Sequence, residues 1–352
     1  MAAPIVVLGG AGFIGSNLAD SFLAEGRDVV VFDSLERPGV ERNLAWLADR
    51  HGARMHPMAA DIRDRAALRE AVTGASAVFH LAAQVAVTSS LADPRHDFSV
   101  NAEGTLNVLE AVRHHAANAP VVFASTNKVY GPLADVAVVD VAGSLLPRNE
   151  ALREFGVAES RPLDFCTPYG CSKGAADQYV RDYAHSFGLR TAVLRMSCIY
   201  GPRQFGTEDQ GWVAHFLIRA LRHEAITIFG NGRQVRDILH VDDAVSAYRA
   251  VLANIDTLSG QACNLGGGPD NAVSLGSVLA EIEALLGRPV ATDHAPARQG
   301  DQPYFVADTR RLRCAIGWRP RIAWRDGLRD LADWLRTDLA LPDRARAKRA
   351  LA

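Results

Sequence analysis

The stretch PIVVLGGAGFIG, residues 4–15, decides the fold that this sequence predicts. An apolar, β-branched run is followed by three regularly spaced glycines, and a helical apolar pattern comes next. This order predicts a strand, a tight turn and a helix. Gly9 permits the turn, Gly12 lets the backbone approach a pyrophosphate, and Gly15 allows the helix to pack closely on the strand. Because the helix N-terminus offers free N–H groups to an anion, the stretch predicts a dinucleotide-binding site.

The second predicted strand, residues 28–32, ends in Asp33, which lies 24 residues after Gly9. An acidic residue at about this distance hydrogen-bonds the adenosine ribose in dinucleotide sites. In the alternative interpretation, Asp33 is only a turn residue before Ser34. A carboxylate at the ribose repels a 2′-phosphate, so the cofactor that the sequence predicts is NAD and not NADP.

Strand and helix patterns alternate through the first half of the chain, with further strands at 54–58, 77–84, 120–124 and 189–196. This alternation predicts an α/β fold with a doubly wound parallel Rossmann sheet of six strands. Ligands bind such sheets at the carboxyl ends of the strands. Small residues after the fourth strand and hydroxyls after the fifth are therefore expected to face one ligand crevice.

Three polar side chains near these strand ends could either bind a ligand or serve the fold. Thr126 either hydrogen-bonds a reacting sugar oxygen or caps the local turn. Asp61 either accepts a hydrogen bond from adenine or caps the helix predicted at 66–72. His80 has apolar neighbours and is expected to be a core histidine, not a base. The spacing alone leaves the roles of Thr126 and Asp61 open.

Tyr169 and Lys173 are four residues apart at the start of a predicted helix, residues 169–187. In a helix this spacing places both side chains on one face, about one turn apart. A tyrosine hydroxyl with a pKa near ~10 is a poor base at neutral pH unless a nearby positive charge stabilises the phenolate. Lys173 can supply that charge. The pair is therefore a candidate catalytic pair, or two residues on a solvated helix face.

The pattern changes in the second half of the chain. We predict a NAD-binding domain at 1–198, a smaller C-terminal α/β lobe that binds substrate at 199–341, and a basic tail at 342–352. Part of 236–253 is expected to pack back on the first domain. Residues 132–165 have no strong period and are expected to form a surface excursion. Loops of the lobe hold three arginines that are candidate phosphate ligands, namely Arg203, Arg236 and Arg298.

Composition argues against several other classes of function. The chain has 38 Lys and Arg against 40 Asp and Glu, a net charge of -2, so nothing global indicates a nucleic-acid or membrane partner. Its five cysteines lack C-x-x-C spacing, which predicts neither a metal site nor a disulfide framework. No segment has the pattern of a signal peptide or the ~18 apolar residues of a membrane span. We therefore expect a cytoplasmic protein with no nucleic-acid, membrane or metal partner.

Together these motifs resemble the extended short-chain dehydrogenase/reductase family, the NAD-dependent nucleotide-sugar epimerases and dehydratases, over residues 4 to about 335. The resemblance rests on Gly9-x-x-Gly12-x-x-Gly15, Asp33, Asp61-Ile62, His80-Leu81-Ala82-Ala83-Gln84, Asn101, Thr126 four residues before Tyr130, Tyr169-x-x-x-Lys173, Asn231-Gly232-x-x-x-Arg236-Asp237 and Arg298-x-x-Asp301.

The resemblance implies that NAD is held tightly and recycled within each turnover. Tyr169 would take the proton of a sugar hydroxyl, and Thr126 would bond the same oxygen. Lys173 would bind the nicotinamide ribose and lower the pKa of Tyr169. The family's usual state implies a homodimer, for which the helices at 105–116 and 169–187 are candidates.

Two sets of contacts follow from the same resemblance. The expected cofactor contacts are Gly9, Gly12, Phe13, Ile14, Gly15, Asp33, Ser34, Asp61, Ile62, Leu81, Ala82, Ala83, Asn101, Ser125, Tyr169 and Lys173. The expected contacts of a nucleotide-sugar substrate are Gln84, Thr88, Asn127, Arg203, Gln204, Arg236 and Arg298.

Positions 127 and 128 separate the enzyme types within the family. Its 4,6-dehydratases carry Asp-Glu after the threonine, whereas this chain has Asn127 and Lys128. Loss of water therefore has no evident catalyst, and epimerisation is expected. Three stretches, at 125–131, 168–179 and 203–213, resemble epimerases that invert C2 of a CDP-linked hexose. The alternative is inversion of C4 in a UDP-glucose or UDP-glucuronate type of substrate. A redox-sensing binding protein that lost catalysis is a third possibility, against which the intact catalytic residues count.

Overall fold

The computed structural model describes residues 3–298 and 300–339, and its first part alternates strands with helices. These elements are β1 (Ile5–Leu8), α1 (Phe13–Leu23), β2 (Val29–Asp33), α2 (Val40–His51), β3 (Met55–Ala59), α3 (Arg65–Val72), β4 (Ala77–His80), α4 (Val87–Ala92), α5 (Pro94–Phe98), α6 (Gly104–His115) and β5 (Val121–Thr126).

The second part begins with a hairpin and a long helix, and then mixes shorter elements. These are β6 (Val138–Val141), β7 (Ser144–Pro147), α7 (Glu150–Phe155), α8 (Thr167–Phe187), β8 (Thr191–Met196), β9 (Cys198–Tyr200), α9 (Trp212–Leu221), β10 (Ile226–Phe229), β11 (Val235–His240), α10 (Val241–Ala253), α11 (Ile255–Leu258), β12 (Gln261–Leu265), β13 (Ala272–Ser274), α12 (Leu275–Leu286), β14 (Thr292–Ala295), β15 (Tyr304–Phe305), α13 (Arg310–Ile316) and α14 (Trp324–Leu339).

The largest sheet has seven parallel strands in the order β12-β8-β5-β4-β1-β2-β3. Every residue of β1, β4 and β5 is buried, as expected for strands covered by helices on both faces. The strand order reverses between β1 and β4, and ligands of such sheets bind outside the carboxyl ends at that point. The predicted α/β class and doubly wound Rossmann sheet are confirmed.

An apolar core lies on each face of this sheet. On one face, Phe79 of β4 packs against Phe22 of α1 and Tyr248 of α10, with ring centroids 5.5 and 6.2 Å apart. On the other, Leu68 of α3 and Val180 of α8 belong to one cluster. Helix α10 therefore packs on the Rossmann sheet although it follows much of the second lobe in sequence.

The prediction of six strands was wrong. The seventh strand, β12, lies beside β8, with Gln261 opposite Ala192 and Leu265 opposite Met196. It falls inside the range predicted for the substrate lobe. The five residues of β12 carry no local pattern that identifies their partner strand, because that strand lies about 70 residues earlier in the chain.

Residues 132–165 also hold more structure than predicted. Strands β6 and β7 form an antiparallel hairpin, and its two-residue turn places Ala142 and Gly143 at positive φ, 51° and 81°. Turns with two positive φ values match the twist of a hairpin. Asn149 then caps α7 by accepting a hydrogen bond from Leu152 N at 3.1 Å. Because these elements are only four to six residues long, no period was visible in the sequence.

The remaining elements form the smaller lobe. Its sheet joins β11 to β13, β15 and β9, and a separate pair joins β10 to β14. Helices α9, α12 and α14 share one core that includes Leu217, Ile282 and Leu331. No helix within residues 3–298 and 300–339 combines the length and the apolar character needed to cross a membrane. The predicted basic tail at 342–352 lies outside the described residues, and the homodimer stays a prediction.

Candidate active site

The glycine turn between β1 and α1 leaves room for a ligand's phosphates. A Cβ on Gly9, whose φ is +79°, would lie 2.7 Å from the backbone nitrogen of Ala82. A Cβ on Gly15 would lie 2.0 Å from the carbonyl oxygen of Gly9. Helix α1 begins after Gly12 without a side-chain cap, so its first N–H groups are free for an anion. The turn fits the pyrophosphate of a dinucleotide.

Asp33 ends β2 next to this turn. Its Oδ2 accepts a hydrogen bond from Ala11 N at 3.0 Å, and its Oδ1 accepts one from Leu35 N at 2.9 Å. Burial raises the pKa of this carboxyl. Asp33 therefore does stabilise the turn, but each of its carboxylate oxygens can accept a second hydrogen bond. Asp33 thus remains able to bind a ribose, and Ser34 beside it is exposed.

The alternative role of Asp61 as a helix cap was wrong. The cap of α3 is Asp64, whose Oδ1 accepts hydrogen bonds from Ala66 N and Ala67 N at 2.9 and 3.1 Å. Asp61 instead pairs with Arg63 at 2.6 Å, and this guanidinium lowers the pKa of the Asp61 carboxyl. The adenine contact predicted for Asp61 stays a prediction.

Asn101 holds the loop that follows β4. It lies in a π-helical turn, Ser99–Glu103, of a kind that often occurs at functional sites. Its Oδ1 accepts a hydrogen bond from Gln84 N at 3.0 Å, and its Nδ2 donates one to Gln84 O at 2.9 Å. Asn101 therefore fixes the path of the backbone just beyond Leu81, Ala82 and Ala83. Its expected cofactor contact, like theirs, stays a prediction.

A cavity of about 480 Å³ lies between the carboxyl edge of the large sheet and the smaller lobe. Its walls unite predicted residues that are far apart in sequence. The predicted residues that line it are Phe13, Ile14, Thr88, Ser125, Thr126, Asn127, Tyr169, Gln204, Arg236 and Arg298. Among the substrate predictions, Gln84 and Arg203 do not line it.

Tyr169 lies at the start of α8, faces the cavity and is 9% exposed. Burial raises its pKa to about 12, against the lowering effect of a hydrogen bond with the Thr126 hydroxyl. The same hydroxyl oxygen accepts a hydrogen bond from Lys128 N at 3.2 Å and caps a short 3-10 turn. Both roles considered for Thr126 are therefore compatible, since the local cap fixes the oxygen that touches Tyr169.

Lys173 is buried one turn further along α8. Its Nζ lies 4.1 Å from the centroid of the Phe123 ring, and burial lowers its pKa to about 7, although Asp177 and Asp97 act to raise it. The lowering of the Tyr169 pKa that was expected from Lys173 stays a prediction; in the protein alone, burial is the dominant influence on the phenol and raises its pKa. His80 is neutral in the core: burial lowers its pKa to about 3, and its Nε2 lies 2.9 Å from Thr105 Oγ1.

The three candidate arginines are in different surroundings. Arg236 Nη2 lies 2.5 Å from Asp301 Oδ1 in the cavity wall. Arg298 stacks at 4.0 Å on the Phe229 ring, also in the wall. Arg203 stacks instead at 3.6 Å on Trp46 of α2. Its predicted role as a phosphate ligand is therefore not supported by its position.

Lys128 also lines the cavity, at one of the two positions where the 4,6-dehydratases carry an acid. Its Nζ lies 3.4 Å from Gly300 O and 3.8 Å from Asp301 Oδ1. Burial lowers its pKa to about 8. Asp301 thus joins Lys128 of the Rossmann domain to Arg236 of the lobe. No local signal reveals this contact, because its partners are 65 and more residues apart.

No group of three His, Cys, Asp or Glu side chains in the described ranges, 3–298 and 300–339, is placed to bind a metal ion.

Replacing Gly15 with Ala is expected to abolish NAD retention and to lower the free energy of unfolding by about 1–3 kcal/mol. The reason is the 2.0 Å approach of the added Cβ to Gly9 O, which only a backbone shift can relieve. Bound NAD per purified chain and denaturant unfolding measure the two effects. Gly276→Ala is the matched control, since its nearest atom would be 3.7 Å away. Equal NAD content in Gly15→Ala and the wild type would contradict the assignment of this turn.

The fold and the site define a dinucleotide-binding enzyme with a Tyr-x-x-x-Lys pair at the carboxyl edge of the sheet. Residues 5–266 match the NAD dependent epimerase/dehydratase family. The chain therefore belongs to that family, and the resemblance predicted from the sequence is confirmed. Its cofactor is NAD.

Similar proteins cover nearly the whole chain. A CDP-paratose 2-epimerase of Salmonella typhi is 42% identical over 337 residues, which are 94% of this chain and 98% of that protein. The crystal structure of a UDP-glucose 4-epimerase with UDP-glucose from Thermotoga maritima is 29% identical, with a TM-score of 0.82 over 96% of this chain and 99% of that one. A UDP-glucose 4-epimerase of Thermus thermophilus, in complex with NAD, is 31% identical, with a TM-score of 0.78 over 95% of this chain and 99% of that one.

Proposed function

We propose that this chain epimerises a nucleotide-activated hexose with NAD, and that it inverts C2 of a CDP-linked sugar of the paratose and tyvelose type. The observation that carries the proposal is the cavity wall. Thr126 and Tyr169 face the cavity together, whereas Asn127 and Lys128 occupy the positions of a dehydratase's acid pair. The 42% identity with a CDP-paratose 2-epimerase over nearly the full length of both chains supports C2 and a CDP-sugar.

One carboxylate of the cavity wall lies beside Lys128. Asp301 Oδ1 is 2.5 Å from Arg236 Nη2 and 3.8 Å from Lys128 Nζ. Because this oxygen is already engaged by two cations, Asp301 does not replace the missing acid pair. Elimination of water requires an acid and a base at the sugar. The positions directly after Thr126 hold no acid in this chain, and this absence favours epimerisation over dehydration.

NAD, when bound, supplies the hydride acceptor and, in its oxidised form, a positive charge in the crevice. The glycine turn and Asp33 would hold its pyrophosphate and adenosine ribose, and Lys173 its nicotinamide ribose. Tyr169 accepts the proton of the sugar hydroxyl and returns it when the other face is reduced. Thr126 orients the phenol. Because burial raises the pKa of Tyr169 to about 12, the phenol needs added positive charge to act as a base near neutral pH.

The cavity suits a sugar that must rotate between its oxidation and its reduction, so that its other face meets the nicotinamide. Its volume of about 480 Å³ is in the range of small-molecule sites. Apolar side chains, among them Met196, Trp212 and Phe216, make up much of the wall. Such a wall makes few directional contacts, so it encloses the sugar without fixing one orientation.

A 4-epimerase acting on a UDP-sugar is the second candidate. It is favoured by the likeness to the Thermotoga maritima UDP-glucose 4-epimerase, whose TM-score is 0.82 over 96% of this chain. That likeness is at 29% identity, against 42% for the CDP-paratose 2-epimerase. The inverted carbon of the product separates the two candidates directly.

Purified protein incubated with CDP-, UDP- and GDP-hexoses is expected to invert C2 of a CDP-sugar, as followed by proton NMR. In deuterium oxide the inverted carbon is expected to carry no deuterium, because the hydride leaves and returns without exchange with solvent. The same panel with Tyr169→Phe gives the background. Inversion at C4 alone, or no turnover of any CDP-sugar, removes the leading proposal. Deuterium at C2 would indicate enolisation from a neighbouring ketone instead.

A further inference from the structure

Asp97 of α5 is a buried carboxylate that the proposed chemistry does not use. The residue is 1% exposed. Its Oδ1 accepts a hydrogen bond from Asn101 Nδ2 at 3.1 Å, whereas its Oδ2 has no hydrogen-bond partner in the described part of the chain. Burial raises the pKa of this carboxyl, and Ser172 also acts as its hydrogen-bond partner and lowers that pKa, but a buried charge with no cation paired to it is costly. Such a group in a native fold therefore calls for a functional explanation.

The second buried carboxylate near Lys173 differs in this respect. Asp177 forms a bidentate pair with Arg195, with both N–O distances at 2.9 Å, and accepts a hydrogen bond from Ser125 Oγ at 2.7 Å. Its charge is thus compensated by a guanidinium. Asp97 forms no ion pair within residues 3–298 and 300–339, so its charge is left to act on whichever cation lies nearby.

That cation is Lys173. Asn101 Nδ2 links Asp97 Oδ1, at 3.1 Å, to Ser172 Oγ, at 3.2 Å, and Ser172 directly precedes Lys173. Asp97 of α5 is therefore linked through Asn101 to α8 at the residue directly before Lys173. The ammonium rests on the Phe123 ring and forms no ion pair within 4.0 Å in residues 3–298 and 300–339.

Few other charged or titratable groups face Lys173. The groups around it are Asp97 of α5, His80 of β4, Phe123 of β5, and Tyr169 and Asp177 of α8, with Arg195 of β8 behind Asp177. Burial keeps the pKa of His80 at about 3, so this ring is neutral. Against the effect of burial, Asp177 and then Asp97 raise the pKa of Lys173. Of these two carboxylates, Asp97 is the one that also raises the pKa of Tyr169.

We propose that Asp97 is a positioning residue for the catalytic pair: its buried carboxylate holds Lys173 as an ammonium and opposes ionisation of Tyr169. The inference rests on the proposed function. Burial is the largest influence on all three groups: it lowers the pKa of Lys173 and raises those of Tyr169 and Asp97. Beside it, Asp97 raises the pKa of both Lys173 and Tyr169, and Lys173 lowers the pKa of Asp97.

The arrangement has a use in an epimerase. Because Asp97 balances Lys173, Tyr169 loses its proton only when a further positive charge is close, as it is beside oxidised NAD. Tyr169 keeps its proton when that charge is gone, and can then return it to the sugar oxygen. The proton affinity of the phenol therefore follows the two halves of the reaction.

The first test is the pH profile of kcat/KM for the wild type, Asp97→Asn and Asp93→Asn. The acid limb reports ionisation of Tyr169, and the alkaline limb reports loss of the Lys173 proton. Removing the Asp97 charge lowers both pKa values, so both limbs are expected to move to lower pH by about one unit. Asp93, which is exposed and caps the same helix α5, is the matched control and should leave both limbs in place. Any other pattern for Asp97→Asn, including a lower rate with unmoved limbs, overturns the inference.

The second test needs neither turnover nor the Asp97 variant. Carbon-13 NMR of labelled aspartate, compared between the wild type and Lys173→Met, follows the titration of Asp97. Coupling between two titrating sites is reciprocal, so loss of the ammonium is expected to raise the Asp97 midpoint by about one unit. An unchanged midpoint overturns the inference. If the wild type turned over no nucleotide sugar, only the proposed function would fail, because this titration would still report the pair.

Discussion

Replacing Tyr169 with Phe is expected to lower the turnover number by at least about 10²-fold while NAD stays bound. The substitution removes the phenol hydroxyl alone, which is the group that faces the cavity beside Thr126. The aromatic ring, 9% exposed, keeps its packing. The glycine turn and Asp33, which would hold the pyrophosphate and the adenosine ribose, do not change, so NAD is expected to stay bound. Turnover by proton NMR and NAD released on denaturation measure the two quantities separately.

Tyr179→Phe is the matched control, since Tyr179 lies on the same helix α8 but is 46% exposed. Its turnover should equal that of the wild type. Full activity in Tyr169→Phe would refute the role of Tyr169 as base. Loss of NAD together with activity would show instead that the hydroxyl serves cofactor binding.

Replacing Asp177 with Ala is expected to lower the free energy of unfolding by about 3–5 kcal/mol. Asp177 and Arg195 are 0% and 3% exposed, and their pair is bidentate. Removing one partner leaves a buried guanidinium without a counter-ion. The Ser125 hydroxyl also loses its acceptor. Denaturant unfolding of the purified variants measures the effect.

The matched control is Asp333→Ala, which breaks a pair with Arg336 at the surface of α14. That pair is also close, at 2.7 Å, but its side chains are 74% and 46% exposed. Exposed pairs of this kind contribute about 0.2–1 kcal/mol. Similar losses in the two variants would mean that burial does not set the strength of the Asp177 pair.

Local spacing was enough to predict the parts of the site that lie within one turn or one helix. The glycines at the start of α1 and the pair Tyr169 and Lys173 have their geometry fixed by neighbours a few residues away. The cap of α3 was the exception, because Asp61 and Asp64 both precede the helix and only the backbone path decides between them. A hydrogen bond to Ala66 N and Ala67 N requires the second of the two.

Long-range placement was not predictable from the sequence. Arg203 and Arg236 were both predicted in loops of the lobe, but Arg236 lies in the buried strand β11. Arg203 stacks on Trp46, whereas Arg236 pairs with Asp301 in the cavity wall. The burial of Tyr169 was not predictable for a related reason. The spacing to Lys173 was visible, but the burial that raises the pKa of Tyr169 arises from the packing of α8 on the rest of the domain.

The position of β12 has a consequence for how the chain is made. The edge of β8 that faces away from β5 pairs with residues 261–265, which are synthesised only after about three quarters of the 352 residues. Until then the nascent Rossmann half presents an open row of backbone N–H and C=O groups, to which a strand of another nascent chain could pair. A fragment that stops at residue 198 is therefore expected to aggregate, and the shortest soluble piece of the enzyme should extend past Leu265.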